Sequence, residues 1–88
     1  MSEFESLLEF PCKFPIKVMG AAIPEFRERV LEIARRHVPD LSEQAVSERS
    51  SRGGRYTSLN IVVDATSREQ LDGLYRDLTG CELVAVVL

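Results

Sequence analysis

The stretch "SERSSRGGRYTS", residues 47–58, decides how this chain folds. Its adjacent glycines, Gly53 and Gly54, suit a tight hairpin turn, because such turns need positive φ and a glycine takes it without steric cost. The residues on either side then read as two strands, 45–52 and 55–65. In the second, Leu59, Ile61, Val63 and Ala65 alternate with Tyr56, Ser58, Asn60, Val62 and Asp64, the period-two pattern of a sheet with one buried face. Two strands joined by two residues are antiparallel neighbours. Whatever flanks them must supply the second layer.

Upstream, "CKFPIKVM" (12–19) sets Phe14, Ile16 and Val18 on one parity and Lys13, Pro15 and Lys17 on the other, which is again a half-buried strand. Pro15 lacks an N–H, so the ladder should begin there or bulge there. Gly20 is read as the strand's end. Pro24 opens a helix, and Phe26, Val30, Ile33, Ala34 and His37 recur at helical spacing until Pro39. Downstream of the hairpin, Ser67 and Gln70 have the spacing of a capping box. Leu71, Leu74, Tyr75 and Leu78 form the buried stripe of a second helix, with Gly80 expected as its left-handed C-terminal residue. "CELVAVVL" (81–88) is the last strand. The order β-α-β-β-α-β is an α+β, ferredoxin-like split βαβ plan. It gives a four-stranded antiparallel sheet in the order 4-1-3-2, with both helices on one face and the other face open.

Eighty-eight residues, 44% hydrophobic and 28% charged, make a single domain, with residues 1–9 as an acidic N-terminal extension. So short a chain supports one two-layer core and no deep interlobe cleft. No apolar run is long enough to span a membrane, and "MSEFESLLEF" lacks the basic start of a secretory signal. The expected location is therefore cytoplasmic, with Cys12 and Cys81 as reduced, half-buried thiols. No CxxC or HExxH spacing is present, so no metal or cofactor is expected.

Several long segments together resemble the YbeD-like family of small bacterial proteins, a domain of unknown function. They are "LLEFPCKFPIKVMG", "RHVPDL", "ERSSRGGRYTSLNIVVDATSREQLDGLYRDLTG" and "VAVVL", and the resemblance runs from residue 7 to 88. It implies a ferredoxin-like fold similar to the ACT regulatory domain, and a regulatory role. The family's genes often stand beside lipoate-biosynthesis genes, which implies, without showing, a link to lipoate metabolism. The family carries no settled catalytic or ligand residues, so any site must come from this chain.

The hairpin supplies one candidate. A two-residue turn pairs Arg52 with Arg55, Ser51 with Tyr56 and Arg49 with Ser58, and places Arg49, Tyr56 and Ser58 on the open face. Lys17 reaches the same face from the first strand. Arg52 and Arg55 then oppose each other at the rim, and an anion held between them would remove the repulsion. The competing reading is that these arginines only keep an exposed hairpin soluble and unpaired. A second candidate is Gly20, followed by a helix N-terminus. In ACT domains the corresponding loop lets backbone approach an amino acid at a dimer interface, but here Glu25 opposes an anion and Gly20 serves equally as a turn. His37 is read as structural, with no nucleophile near it in sequence.

Three functions follow. The first is a non-enzymatic regulatory or small-ligand-binding module of ACT-like type, dimeric, with an unidentified protein target or a small anionic metabolite as partner. An apolar strip of Val62, Val84 and Val86 on the open face supports association. The alternative is an RNA-binding module, since the RNA-recognition motif shares this strand order. It would need stacking aromatics where Lys13, Lys17 and Ser58 stand, and a net charge of −3 works against phosphate binding. An acylphosphatase-like enzyme is third; no catalytic residue is assigned.

Overall fold

In the computed structural model, which describes residues 9–88, the sheet and both helices take the expected order. β1 is Cys12–Ala21, α1 Pro24–His37, β2 Val46–Ser50, β3 Tyr56–Ala65, α2 Arg68–Thr79 and β4 Val84–Val87, with a short 3-10 turn at Glu43–Ala45 before β2. The four strands lie in the order β2-β3-β1-β4, all antiparallel. The acidic extension assigned to 1–9 falls, but for Glu9, outside the described residues.

The sheet's alternation builds the core. Ile16 and Val18 of β1 and Leu59, Ile61, Val63 and Ala65 of β3 are buried on one face, against Phe26, Val30, Ile33 and Ala34 of α1 and Leu71, Leu74 and Leu78 of α2. Leu31, outside the expected stripe of α1, is also buried, while Tyr75 is only half-buried. Burial pushes the Tyr75 phenol above its ordinary value. A raised folded value favours the protonated form, so its contribution is complete below the ordinary tyrosine range and is lost as pH rises from there through the higher folded value. Thermal unfolding of the parent chain should therefore become easier at alkaline pH, and less steeply so in Tyr75→Phe. Parallel pH profiles would remove Tyr75 as a cause.

Pro15 neither begins the ladder nor bulges it. β1 pairs with β3 from Cys12 through Ala21, with Pro15 opposite Val62. Backbone groups of successive residues point to opposite sides of a strand. Lys17 exchanges both bonds with Leu88 (3.1 and 2.8 Å), so Pro15, two residues earlier, aims its missing N–H to that same side. β4 pairs with β1 only around Val18–Gly20, and no described strand stands opposite Pro15 there. The irregularity lies instead between Met19 and Gly20, in the β1–β4 register.

Other expectations are corrected. Gly20 does not end β1, which continues to Ala21. The final strand is shorter than 81–88: the Cys81 N–H bonds Leu78 and the Val84 N–H bonds Cys81, a turn that uses up the first residues. β2 is shorter than 45–52 because Ala45 closes the 3-10 turn onto Ser42. Gly80 has φ −80°, in the right-handed region; its N–H bonds Arg76 and α2 ends in an ordinary turn. The capping box is half formed. Ser67 Oγ accepts the Gln70 N–H (3.1 Å), but Gln70 Oε1 accepts from the Thr66 N–H (2.7 Å) rather than from Ser67.

Candidate functional site

The hairpin register is the expected one. Ser50 faces Thr57, Arg49 faces Ser58, and the Ser51 N–H donates to the Tyr56 carbonyl (2.9 Å). Its tip is wider than a two-residue turn. Ser51 Oγ accepts the Tyr56 N–H (2.9 Å), and the Ser51 carbonyl accepts from Gly54 (2.9 Å). Gly53 and Gly54 hold φ of 90° and 70°, as a turn with positive φ requires. Arg52 and Arg55 are therefore turn residues flanking the glycines, and not a directly opposed strand pair. The direct opposition expected from the sequence does not occur, because the serine hydroxyl replaces the last ladder bond.

On the open face the pairings form rows across the sheet. Arg49 of β2, Ser58 of β3, Met19 of β1 and Val86 of β4 make one; Ser47, Asn60, Lys17 and Leu88 make the next. Tyr56, half exposed at 50%, stands beside the first row, opposite Ala21. The structure thus brings Lys17, Arg49, Tyr56 and Ser58 onto one surface, with Arg52 and Arg55 at its edge. Val62 and Val86 are exposed on it, but Val84 is not: opposite Gly20, it packs on the core.

The electrostatics of the two layers differ. Arg27 pairs with Glu48 at 3.0 Å, Arg36 and Arg29 with Glu32, and Arg68 with Asp72, all on the helical side. On the open face Lys13 pairs with Asp64, its direct cross-strand neighbour, at 2.7 Å. Lys17, Arg49, Arg52 and Arg55 have no ion-pair partner among the described residues.

Gly20 does not join this group. It faces the helices, where an added Cβ would lie 2.2 Å from the Leu83 carbonyl oxygen and 2.3 Å from the Phe26 ring. Its lack of a side chain serves close packing and leaves no room for a ligand on that side. A surface cleft of about 870 Å³ does run between α1 and the hairpin, lined by Ile23, Arg27, Glu48 and Gly54 among others. The loop after β1 and the hairpin tip thus share one end of the sheet, as the topology demands.

His37 joins the two helices. Its Nε2 lies 2.6 Å from Asp77 Oδ2, and its carbonyl accepts from Gln70 Nε2 (2.8 Å). A Cβ on Gly73 would come within 3.0 Å of the imidazole, so the bare glycine makes room for the ring. Sequence reading missed this dock. Gln70, Gly73 and Asp77 do lie on one helical face, but their partner is more than thirty residues away, so spacing alone could not reveal it. Cys12 and Cys81 are free and half-buried. Among the described residues no cluster of three metal-ligating side chains occurs, and no helix is long and apolar enough to cross a membrane.

Residues 5–88 match the family model described as "Protein of unknown function (DUF493)". The chain is 52% identical over 84 residues to a UPF0250 protein of Paraburkholderia phytofirmans, covering 96% of this chain and 94% of that protein. It is 51% identical to one of Leptothrix cholodnii, covering 96% and 92%, and 52% identical to one of Neisseria gonorrhoeae, covering 94% and 91%. With nearly the whole length matched at half identity, the chain belongs to the DUF493/UPF0250 family, the YbeD-like small bacterial proteins of unknown function.

Proposed function

We propose that this protein is a non-enzymatic, cytoplasmic regulatory module of ACT-like type, whose open sheet face and hairpin rim bind an anionic ligand or protein target. The observation that carries the reading is the contrast in ion pairing. Among the described residues four of the six bases of the helical layer pair with acids, all but Arg35 and Arg76, whereas on the open face and hairpin tip only Lys13 does and Lys17, Arg49, Arg52 and Arg55 have no ion-pair partner. The single histidine is engaged in a helix–helix contact, which favours binding over acid–base chemistry as the role of this chain. The link to lipoate metabolism belongs to the same proposal.

The homodimer fits best along β4. Residues 83–88 carry no charged side chain, so two β4 edges can pair without repulsion. Antiparallel self-pairing of β2 about Glu48 or Arg49 would instead set like charges opposite each other. A dimer through β4 leaves both open faces accessible. Light scattering should give twice the mass of the chain, and a single-chain mass at high concentration would remove this part of the proposal.

A thermal-shift screen with amino acids, lipoate, octanoate and nucleotides tests the binding reading. A ligand present at about a hundred times its Kd adds about 2.7 kcal/mol. For a domain of this size that raises Tm on the order of 10 °C. The rise should be lost in Arg49→Ala and in the double variant Arg52→Ala, Arg55→Ala. Equal rises in the parent and both variants would place the ligand elsewhere. RNA binding remains the second reading, supported by the exposed Tyr56 beside free bases.

A further inference from the structure

Charge on this molecule is sorted by layer. Among the described residues, the open face and the hairpin tip hold five of eleven basic side chains (Lys13, Lys17, Arg49, Arg52, Arg55) and one of twelve acidic ones, Asp64. Everything else described holds six bases against eleven acids. An acidic protein thus carries one cationic surface. The same surface is apolar along its β4 edge and at Tyr56 and Val62 of β3. Of the five large hydrophobic side chains left exposed among the described residues, four (Tyr56, Val62, Val86 and Leu88) are on this face. The arrangement has a direction: Arg49 and the tip arginines lie toward β2, while Val86 of β4 and Leu88 just beyond it lie at the opposite edge, with Lys17 between them.

We infer that this face docks an acidic amphipathic segment of a partner protein, with its acids over Lys17 and Arg49 and its apolar side chains over Val62, Val86 and Leu88. The inference rests on the reading of the face as a binding surface and gives that surface its partner class. Charge complementarity selects the occupant. A second copy stacked on this face would bring two cationic surfaces together, which is repulsive. A single-stranded nucleic acid would satisfy the bases but would find one exposed aromatic, Tyr56, for stacking. It would also leave the aliphatic side chains against a phosphate backbone. A segment with one acidic and one apolar side covers both, and helix-in-groove and strand-on-sheet binders use that division.

The test is an amide-shift titration of the labelled full chain with three probes. They are a synthetic amphipathic peptide with glutamates on one face and leucines and phenylalanines on the other, poly-glutamate of equal length, and oligouridylate. The amphipathic peptide should shift the amides of Lys17, Arg49, Tyr56, Val62 and Val86, and poly-glutamate should bind more weakly. The double variant Lys17→Ala, Arg49→Ala should lose about tenfold in affinity, equivalent to about 1.4 kcal/mol, and added salt should weaken the parent complex. Val62→Ser should weaken the amphipathic peptide and leave poly-glutamate unchanged. These positions are exposed, and the unshifted core amides report that each variant stays folded. If oligouridylate moves the face and the peptide does not, the binding surface stands and the partner class is wrong. If no probe moves it, or the peptide shifts only helical residues, both readings fall.

Discussion

Gly20→Ala should lower the melting temperature of this protein by about 8–20 °C. The added methyl would stand 2.2 Å from the Leu83 carbonyl oxygen and 2.3 Å from the Phe26 ring, distances no real Cβ contact shows. One obstacle is backbone. The Leu83 carbonyl also accepts the Ala21 N–H at 3.3 Å, so moving it away gives up a bond beside the β1–β4 irregularity. The other is a fully buried aromatic in the first turn of α1. Overpacking of this kind costs about 3 kcal/mol at the upper end of its ordinary range. Against it stands a gain of only about 0.4–1 kcal/mol from stiffening the unfolded chain. The net of about 2–2.6 kcal/mol corresponds to about 8–20 °C in a domain of this size. Gly53→Ala is the control. It meets nothing within 4 Å, and only its φ of 90° opposes it, at about 1 kcal/mol. Urea unfolding checks both, with a lower midpoint and an unchanged slope for each. If Gly20→Ala melts within about 4 °C of the parent, the sheet–helix contact described above is wrong.

The same residue shows what the sequence could reveal and what it could not. Alternation in 12–19 and 55–65 and the helical spacing from Phe26 to His37 repeat within a few residues, so the elements, the hairpin register short of the tip and the faces that β1 and β3 bury are local inferences that survive folding. Arg49 opposite Ser58 and Lys17 on the same face follow directly from the hairpin's parity. Gly20 was legible only as a small residue near a strand end. Its real constraint comes from Leu83, far along the chain, and from a ring on the next helix. Gly80 failed for the complementary reason: a glycine after a helix permits a left-handed residue without requiring one, and here φ is −80°. The tip arginines depended on one hydroxyl. Ser51 Oγ takes the Tyr56 N–H, opens the turn and removes the opposition of Arg52 and Arg55. Val84 changed face because the β1–β4 register breaks at Met19/Gly20.

Phe26→Ala should be comparably severe, and paired with Gly20→Ala it separates the two obstacles at Gly20. Phe26 is the largest of the fully buried side chains, and its N–H bonds the Ile23 carbonyl at 3.1 Å, in the turn that leads from β1 into α1. Truncating a buried phenylalanine costs about 3–5 kcal/mol, transfer and cavity together. That is a large share of the ~5–15 kcal/mol that holds a domain folded. The milder Phe26→Leu keeps a double-mutant cycle measurable. If the ring carries part of the clash, Gly20→Ala should cost less in the leucine background, with a coupling of about 0.5–3 kcal/mol. Strict additivity would assign the whole penalty to the Leu83 carbonyl, which neither substitution at position 26 removes. A positive coupling would instead show that the aromatic ring and the bare glycine fit as a pair, pinning the start of α1 against β1. It is that junction which sets the helical layer on one side of the sheet and leaves Lys17 and Arg49 on the other.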